Sequence, residues 1–157
     1  MKRKVVMGAD SAGYTLKEEL KKHLEKKGFS VTDCGTNSSE SCHYPIFAGK
    51  VCEEVLRDAD NTFGVLICGT GIGMSMCANK YNGIRAALCS DTYSARMSRA
   101  HNDANVICLG ARVIGPCLAE EILDTFLAES SVYEGGRHAI RVGMIRDIEE
   151  KQKNKPV

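Results

Sequence analysis

Short, nearly all-apolar runs alternate with amphipathic stretches along the whole chain. This alternation constrains the fold more than any other feature. The strand candidates are Lys4–Met7, Ser30–Cys34, Phe63–Cys68, Ile84–Leu88 and Asn105–Leu109. Continuous apolar runs of this kind suit strands buried on both faces of a parallel sheet. Between them, Leu16, Leu20 and Leu24 recur every four residues and Gly28 supplies a stop. Pro45 suits a first helical position, with Ala48, Val51 and Val55 on one face. Gly71 to Lys80 reads as a short helix opening directly from a strand, and Asp91 is placed to cap a helix over 92–100. Pro116 opens another, with Ala119, Ile122, Leu123 and Phe126 as its buried stripe. The last runs from Gly136 to about Lys151 through Val142, Ile145 and Ile148, with a charged tail from Glu149 expected to fray.

The pattern predicts a three-layer α/β/α sandwich around a Rossmann-like, five-stranded parallel sheet. The 157 residues fit one domain, and no linker or repeat divides them. A chain of this length buries roughly 70% of its extended surface, enough to fold without metal or disulfide staples. In such sheets ligands sit beyond the carboxyl ends of the strands. The informative residues are therefore Asp10, residues 35–40, residues 68–73, Ser90, Asp91 and residues 110–112.

Charge and cysteine content narrow the function classes. Lysine plus arginine is 21 against 20 acidic residues, a net charge of +1. That balance argues against a nucleic-acid or membrane-surface partner, which calls for a basic excess. No apolar run approaches the roughly 18 residues of a membrane span, and residues 1–10 are too short for a secretory core, so a reducing cytoplasm is expected. The eight cysteines are never closer than eight positions, so zinc-ribbon and CxxC spacings are absent. Most read as small core hydrophobes.

Cys68 is the exception. Phe63-Gly64-Val65-Leu66-Ile67-Cys68 runs straight into Gly69-Thr70-Gly71-Ile72-Gly73. Alternating glycines at a strand-to-helix junction let backbone amides approach an anion. The pattern is neither the dinucleotide fingerprint nor a P-loop. Taken alone, it fits a tight packing turn as well as a phosphate cradle. A cysteine before a helix N-terminus gains thiolate character and can act as nucleophile or base. A buried structural thiol is the alternative reading.

The run from Ile67 to Gly73, then Ala78-Asn79-Lys80 and Gly83-Ile84-Arg85-Ala86, resembles the ribose-5-phosphate isomerase B family. So do Arg99-Ala100-His101-Asn102-Asp103-Ala104-Asn105, Gly110-Ala111-Arg112-Val113-Ile114-Gly115, Gly135-Gly136-Arg137-His138-Ala139-Ile140-Arg141-Val142, and Ser38-Ser39-Glu40 through Tyr44-Pro45. The resemblance spans Val5 to Ile148, and the family also holds allose-6-phosphate and galactose-6-phosphate isomerases. It implies aldose–ketose isomerisation of a sugar phosphate, most directly ribose 5-phosphate to ribulose 5-phosphate, with no metal and no organic cofactor. It also implies a homodimer, or a tetramer of such dimers, with sites shared between subunits.

Residue by residue, the resemblance makes Cys68 the base that moves a proton between C1 and C2. Where some members carry a glutamate for this, the chain has Met74. His101, with Thr70 nearby, resembles the pair that opens the sugar ring. Asn102 resembles a sugar contact from the other subunit, and Arg112, Arg137 and Arg141 a phosphate clamp. Tyr44 and Asp10 resemble further substrate contacts. One departure stands out: Ser11 follows Asp10 where the family usually has histidine, which leaves tetrose, pentose and hexose phosphates open as substrates.

The residues themselves supply what such a reaction needs. Cys68 can serve as the base. The amides of Gly69, Thr70, Gly71, Ile72 and Gly73 can hold a developing oxyanion, where one lost donor costs about 2.7–4 kcal/mol. His101 can move protons near neutral pH. Arg137 and Arg141, four apart, share one helix face and can grip phosphate bidentately, or form a solvated face. Asp10 can instead cap the following helix. His138 lies between the two arginines in sequence but points elsewhere on the helix, which leaves it a secondary candidate. His23 reads as surface and His43 as a loop residue at the rim. A non-catalytic phosphate- or nucleotide-binding module is the competing function, but it would need neither Cys68 nor His101.

Overall fold

The structure, a computed structural model, describes residues 4–153. Five strands alternate with six helices: β1 (Lys4–Ala9), α1 (Tyr14–Lys26), β2 (Val31–Asp33), α2 (Tyr44–Arg57), β3 (Thr62–Cys68), α3 (Ile72–Ala78), β4 (Ala86–Leu88), α4 (Thr92–Ala100), β5 (Val106–Gly110), α5 (Pro116–Leu127) and α6 (Arg137–Lys153). All strand pairs are parallel, in the order β2-β1-β3-β5-β4. This is the Rossmann-like α/β fold that the alternation predicts.

Two apolar layers hold the sheet. On one face α1, α4 and α5 pack Leu20, Leu24, Ala95, Ile122 and Phe126 against Val5, Val65 and Ile107. On the other, α2 and α3 pack Val51, Val55 and Met74 against Val6, Leu66 and Cys108. Leu20, Leu24 and Ile122 are wholly buried. Truncating one of them to alanine costs about 2–5 kcal/mol. The three central strands are almost fully buried, while β2 and β4 at the edges have only three residues each.

Several boundaries differ from expectation, each for a polar reason. Residues 83–85 lie outside β4 because the Asn105 side chain takes them up: its Oδ1 accepts from Arg85 N at 2.8 Å and its Nδ2 donates to the Gly83 carbonyl at 2.8 Å. Helix α3 stops at Ala78 rather than Lys80. There the Asn79 side chain pairs with the edge of β4, donating to the Ala86 carbonyl and accepting from its N–H, both at 2.9 Å. Of the tail expected to fray, residues 149–153 are helical. The helix continues to Lys153, and the Glu149 carboxylate accepts the Gly83 N–H at 3.1 and 3.2 Å.

Two polar side chains on α1 tie neighbouring elements together. Lys17 on α1 is 1% exposed and bonds Asp33 at the end of β2 at 2.5 Å and Glu18 at 2.7 Å. His23 is not a free surface residue. It bridges α1 to α5 through Asp124 at 2.9 Å and Glu120 at 3.4 Å, because those helices pack side by side.

The chain crosses from β1 outward to β2, then returns past β1 to β3. The carboxyl ends of β1 and β3 therefore flank the crevice where such sheets bind ligands. Helix α6 lies at the opposite end. Its first turn meets His101, just before β5, and its last turns meet Gly83, just before β4.

Candidate active site

Cys68 is the last residue of β3 and 6% exposed. Its sulfur lies at the margin of the α2/α3 core layer and accepts the Gly71 N–H at 3.1 Å. The sulfur thus meets the turn rather than only the apolar interior. A donor at that distance can offset negative charge on sulfur. Gly71 adopts φ +76°, and a Cβ there would come within 2.5 Å of Leu88 Cδ1 and 3.0 Å of the Leu109 carbonyl carbon. Only glycine can aim this amide at the sulfur. Helix α3 has seven residues, so these amides, rather than a long helix dipole, make the environment.

Other thiols lack this environment. Burial pushes Cys52 up to about 12 and Cys89 up to about 11, and raises Cys108 further from reactivity. These three are the core hydrophobes expected from sequence, whereas Cys34, Cys42 and Cys77 are half-buried and Cys117 is exposed, so the expectation that most of the cysteines are core residues does not hold.

The turn gathers its neighbours. Arg112, exposed after β5, donates its backbone N–H to the Gly69 carbonyl at 3.0 Å, while Ala111 N donates to the Cys68 carbonyl at 2.9 Å. A Cβ on Gly69 would stand 3.7 Å from Arg112 Nη1, so the guanidinium lies alongside the turn. Tyr44 opens α2, and its ring covers Gly73, where a Cβ would meet Cζ at 2.8 Å. Thr70 is exposed, and its Oγ1 accepts the Ile72 N–H at 3.3 Å. Asp10 does not cap α1, whose N-cap is Gly13 with no side-chain cap bond; it closes the turn before the helix, its Oδ1 accepting from Ala12 N at 3.0 Å and Gly13 N at 3.1 Å. Ser11 sits in that turn, half-buried. Met74, fully buried, offers no acid or base.

The remaining candidates form a second group at the other end of the sheet. His101 ends α4 and precedes β5. That end is fixed by Gly64 N donating to the Asn105 carbonyl at 2.9 Å, whereas Cys68 pairs with Gly110 at the far end of the same ladder. Four residues of strand separate the two ends, about 13 Å. His101 and Asn102 therefore do not meet Thr70 or Cys68 within one protomer, because α4 runs antiparallel to the strands and delivers them to the amino ends.

Around His101 the second group is ordered. Arg85 locks the turn that follows His101, with Nε donating to the Asp103 carbonyl at 2.7 Å and Nη2 to its carboxylate at 2.8 Å. The His138 ring stacks on that of His101, with centroids 4.1 Å apart and planes 2° apart. Glu134 Oε2 lies 3.7 Å from Nε2 of both rings. Burial, then the charges of His101 and Arg137, hold His138 below the usual imidazole range. Arg137 and Arg141 are exposed one turn apart on α6. Glu134 and the stacking went unread in the sequence. The signal available was the four-residue spacing of Glu134 and His138 across Gly135-Gly136.

Among the described residues, His101, Glu134 and His138 also form a cluster of metal-ligand types within 4.8 Å of one another. Their ring planes are parallel, so the in-plane lone pairs do not converge on one ion. A concavity of about 780 Å³ lined by Arg85, Arg99 and Asp124 contains none of the candidate residues. No helix among the described residues is long and apolar enough to cross a membrane.

This arrangement matches known proteins over nearly its whole length. The family model described as Ribose/Galactose Isomerase matches residues 5–145. The chain is 47% identical over 150 residues to ribose-5-phosphate isomerase B of Escherichia coli, covering 96% of this chain and 99% of that protein. The solved ribose-5-phosphate isomerase B of Clostridium thermocellum is 50% identical with a TM-score of 0.91, over 95% of this chain and 99% of that one. The Mycoplasma genitalium enzyme, solved with bound ribulose 5-phosphate, is 38% identical with a TM-score of 0.91, over 96% and 99%. A thiol-bearing glycine turn on a parallel α/β sheet here marks a sugar-phosphate isomerase. The chain belongs to the ribose/galactose isomerase family.

Proposed function

We propose that this chain interconverts ribose 5-phosphate and ribulose 5-phosphate through an enediolate, as one domain working in the cytoplasm without metal or organic cofactor. The carrying observation is the Cys68 sulfur held 3.1 Å from the Gly71 amide at the carboxyl end of β3. After ring opening, the Cys68 thiolate takes the C2 proton. The C2 electron pair moves to form the enediolate, whose oxygens meet the amides of residues 69–73. A proton passes from O2 to O1 as C1 receives the proton from sulfur, and the ketose results. Nothing is gained or lost overall.

The phosphate and the ring-opening step call for the second group, which one protomer keeps at the other end of its sheet. A second copy of the chain supplies it. His101, Asn102, Arg137 and Arg141 of the partner subunit face Cys68, Thr70, Tyr44 and Arg112, and a two-fold axis makes two such sites at once. Apolar side chains left exposed beside each half support this pairing: Ile72 at 46% and Met76 at 64% flank the turn, while Ile140 at 70%, Met144 at 59% and Ile148 at 58% line α6. Binding the remote phosphate then helps position the reacting carbons.

The test is turnover of ribose 5-phosphate beside allose, galactose and erythrose-type phosphates, for wild type and Cys68→Ala. Wild type is expected to prefer the pentose. Cys68→Ala is expected to lose isomerisation while keeping its fold and phosphate binding. Full turnover by that variant refutes the role of the thiol, and preference for another sugar refutes the pentose, with Ser11 the first position to exchange.

A further inference from the structure

We propose that His138 is a positioning residue for His101: its ring, stacked under that of His101, and the Glu134 carboxylate facing both rings fix the plane of the imidazole that opens the sugar. This rests on the proposed ring-opening role of His101.

The two rings differ in what they can do. The His101 side chain is 35% exposed and that of His138 is 8% exposed. His101 can reach a ligand, while His138 forms the floor beneath it. His101 ends a helix, and its backbone N–H bonds the Met97 carbonyl at 2.8 Å, which holds the main chain but leaves the ring free to turn. The flat contact at 4.1 Å and 2° removes that freedom. The main chain of Glu134 is held in turn, its N–H donating to the Ala100 carbonyl at 2.9 Å at the end of α4.

The stack also disfavours charge on both rings at once. Two imidazolium ions face to face repel each other. His138 accepts the Arg137 Nε–H at 3.5 Å, and burial, then the charges of His101 and Arg137, hold it below the usual imidazole range. In ring opening the bond from C1 to the ring oxygen breaks, that oxygen takes a proton from His101, and the C1 hydroxyl gives one up as the carbonyl forms. The proton lost there restores His101.

Ribulose 5-phosphate has no ring to open, and this separates positioning from simple structural support. The experiment measures kcat and KM on ribose 5-phosphate, and solvent deuterium entry at C1 of ribulose 5-phosphate, for wild type, His138→Ala, His138→Phe, Glu134→Gln and His101→Ala. His138→Ala is expected to lower kcat on the cyclic substrate by about 100-fold, the usual effect of a small misplacement. KM and deuterium entry should stay near wild type. His138→Phe, which restores a flat face, should recover most of kcat, and Glu134→Gln should lower it.

Wild-type kcat in His138→Ala overturns the proposal. So does parallel loss of kcat and deuterium entry in both His138 variants, or a rise in KM alone, since His138 would then only support the helix bearing Arg137 and Arg141. Failure of the underlying reading looks different: wild type neither isomerises nor exchanges, or His101→Ala keeps full kcat.

Discussion

Two inactive variants should restore each other. In one protomer Cys68 and His101 lie at opposite ends of the β3/β5 ladder, separated by four residues of strand from Gly64 to Cys68. That is about 13 Å along the strands, against the roughly 3 Å that direct proton transfer requires. If each site takes Cys68 from one chain and His101 from another, Cys68→Ala and His101→Ala homodimers are both inactive. When the two are unfolded together and refolded in equal amounts, a site works only if its thiol comes from a His101→Ala chain and its imidazole from a Cys68→Ala chain. Each condition is met half the time, so about a quarter of wild-type activity returns, and the fraction is the same in a dimer or a tetramer of dimers. The assay is ribulose 5-phosphate formation by the mixture against each parent, with two affinity tags to isolate the mixed species. A mixture no more active than its parents, despite isolated mixed species, refutes the shared site.

Two further predictions concern the scaffold. Lys17→Met leaves Asp33 beside a buried apolar chain with Lys21, 3.3 Å away, as its one charged partner among the described residues. The cost in urea unfolding at pH 7 should be about 2 kcal/mol, below the 3–5 of a fully buried pair. Burial pushes Asp33 up, but hydrogen bonds from Lys17 and the Gly35 amide outweigh it and hold the carboxyl below its usual range; likewise burial lowers Lys17, but its bonds to Asp33 and Glu18 raise it overall. The contribution of Asp33 is therefore present above about pH 3.9 and lost as pH falls through its lowered value, while that of Lys17 is full below about pH 10.4 and lost as pH rises beyond it. The gap between wild type and variant should be widest between these limits, and a gap that grows in acid contradicts the sign. Gly71→Ala forces a side chain into a positive-φ position against Leu88 and Leu109. It should cost about 1–3 kcal/mol of stability and lower kcat more than it raises KM, and unchanged kinetics would remove the Gly71 amide from the mechanism.

What could be read from residues alone was what is local. The apolar runs of β1, β3 and β5 announce a buried parallel sheet because strands covered on both faces need apolar side chains throughout. The turn from Cys68 to Gly73 is contiguous, so its geometry follows from its own glycines. Arg112 was equally accessible, as it directly follows a strand. The edges were harder, since Asn105 and Asn79 end β4 and α3 with side-chain hydrogen bonds that no periodicity reveals. The separation of His101 from Cys68 was open to inference, because a residue just before a strand lies at its amino end. The family resemblance drew attention to the pairing of His101 with Thr70 instead. The stacking of His138 on His101 depends on how the chain turns through Gly135 and Gly136, both at positive φ. Two adjacent glycines predict a turn but not its direction.

Asn79 answers both main-chain groups of Ala86 with its own amide. A carboxamide that donates and accepts in this way mimics the peptide of an absent sixth strand. Further strands, whether from a sister molecule or from a nascent chain in a crowded cell, find that stretch of the sheet already satisfied. At the β4 edge the protein thus blunts one template for growth into fibrous aggregates.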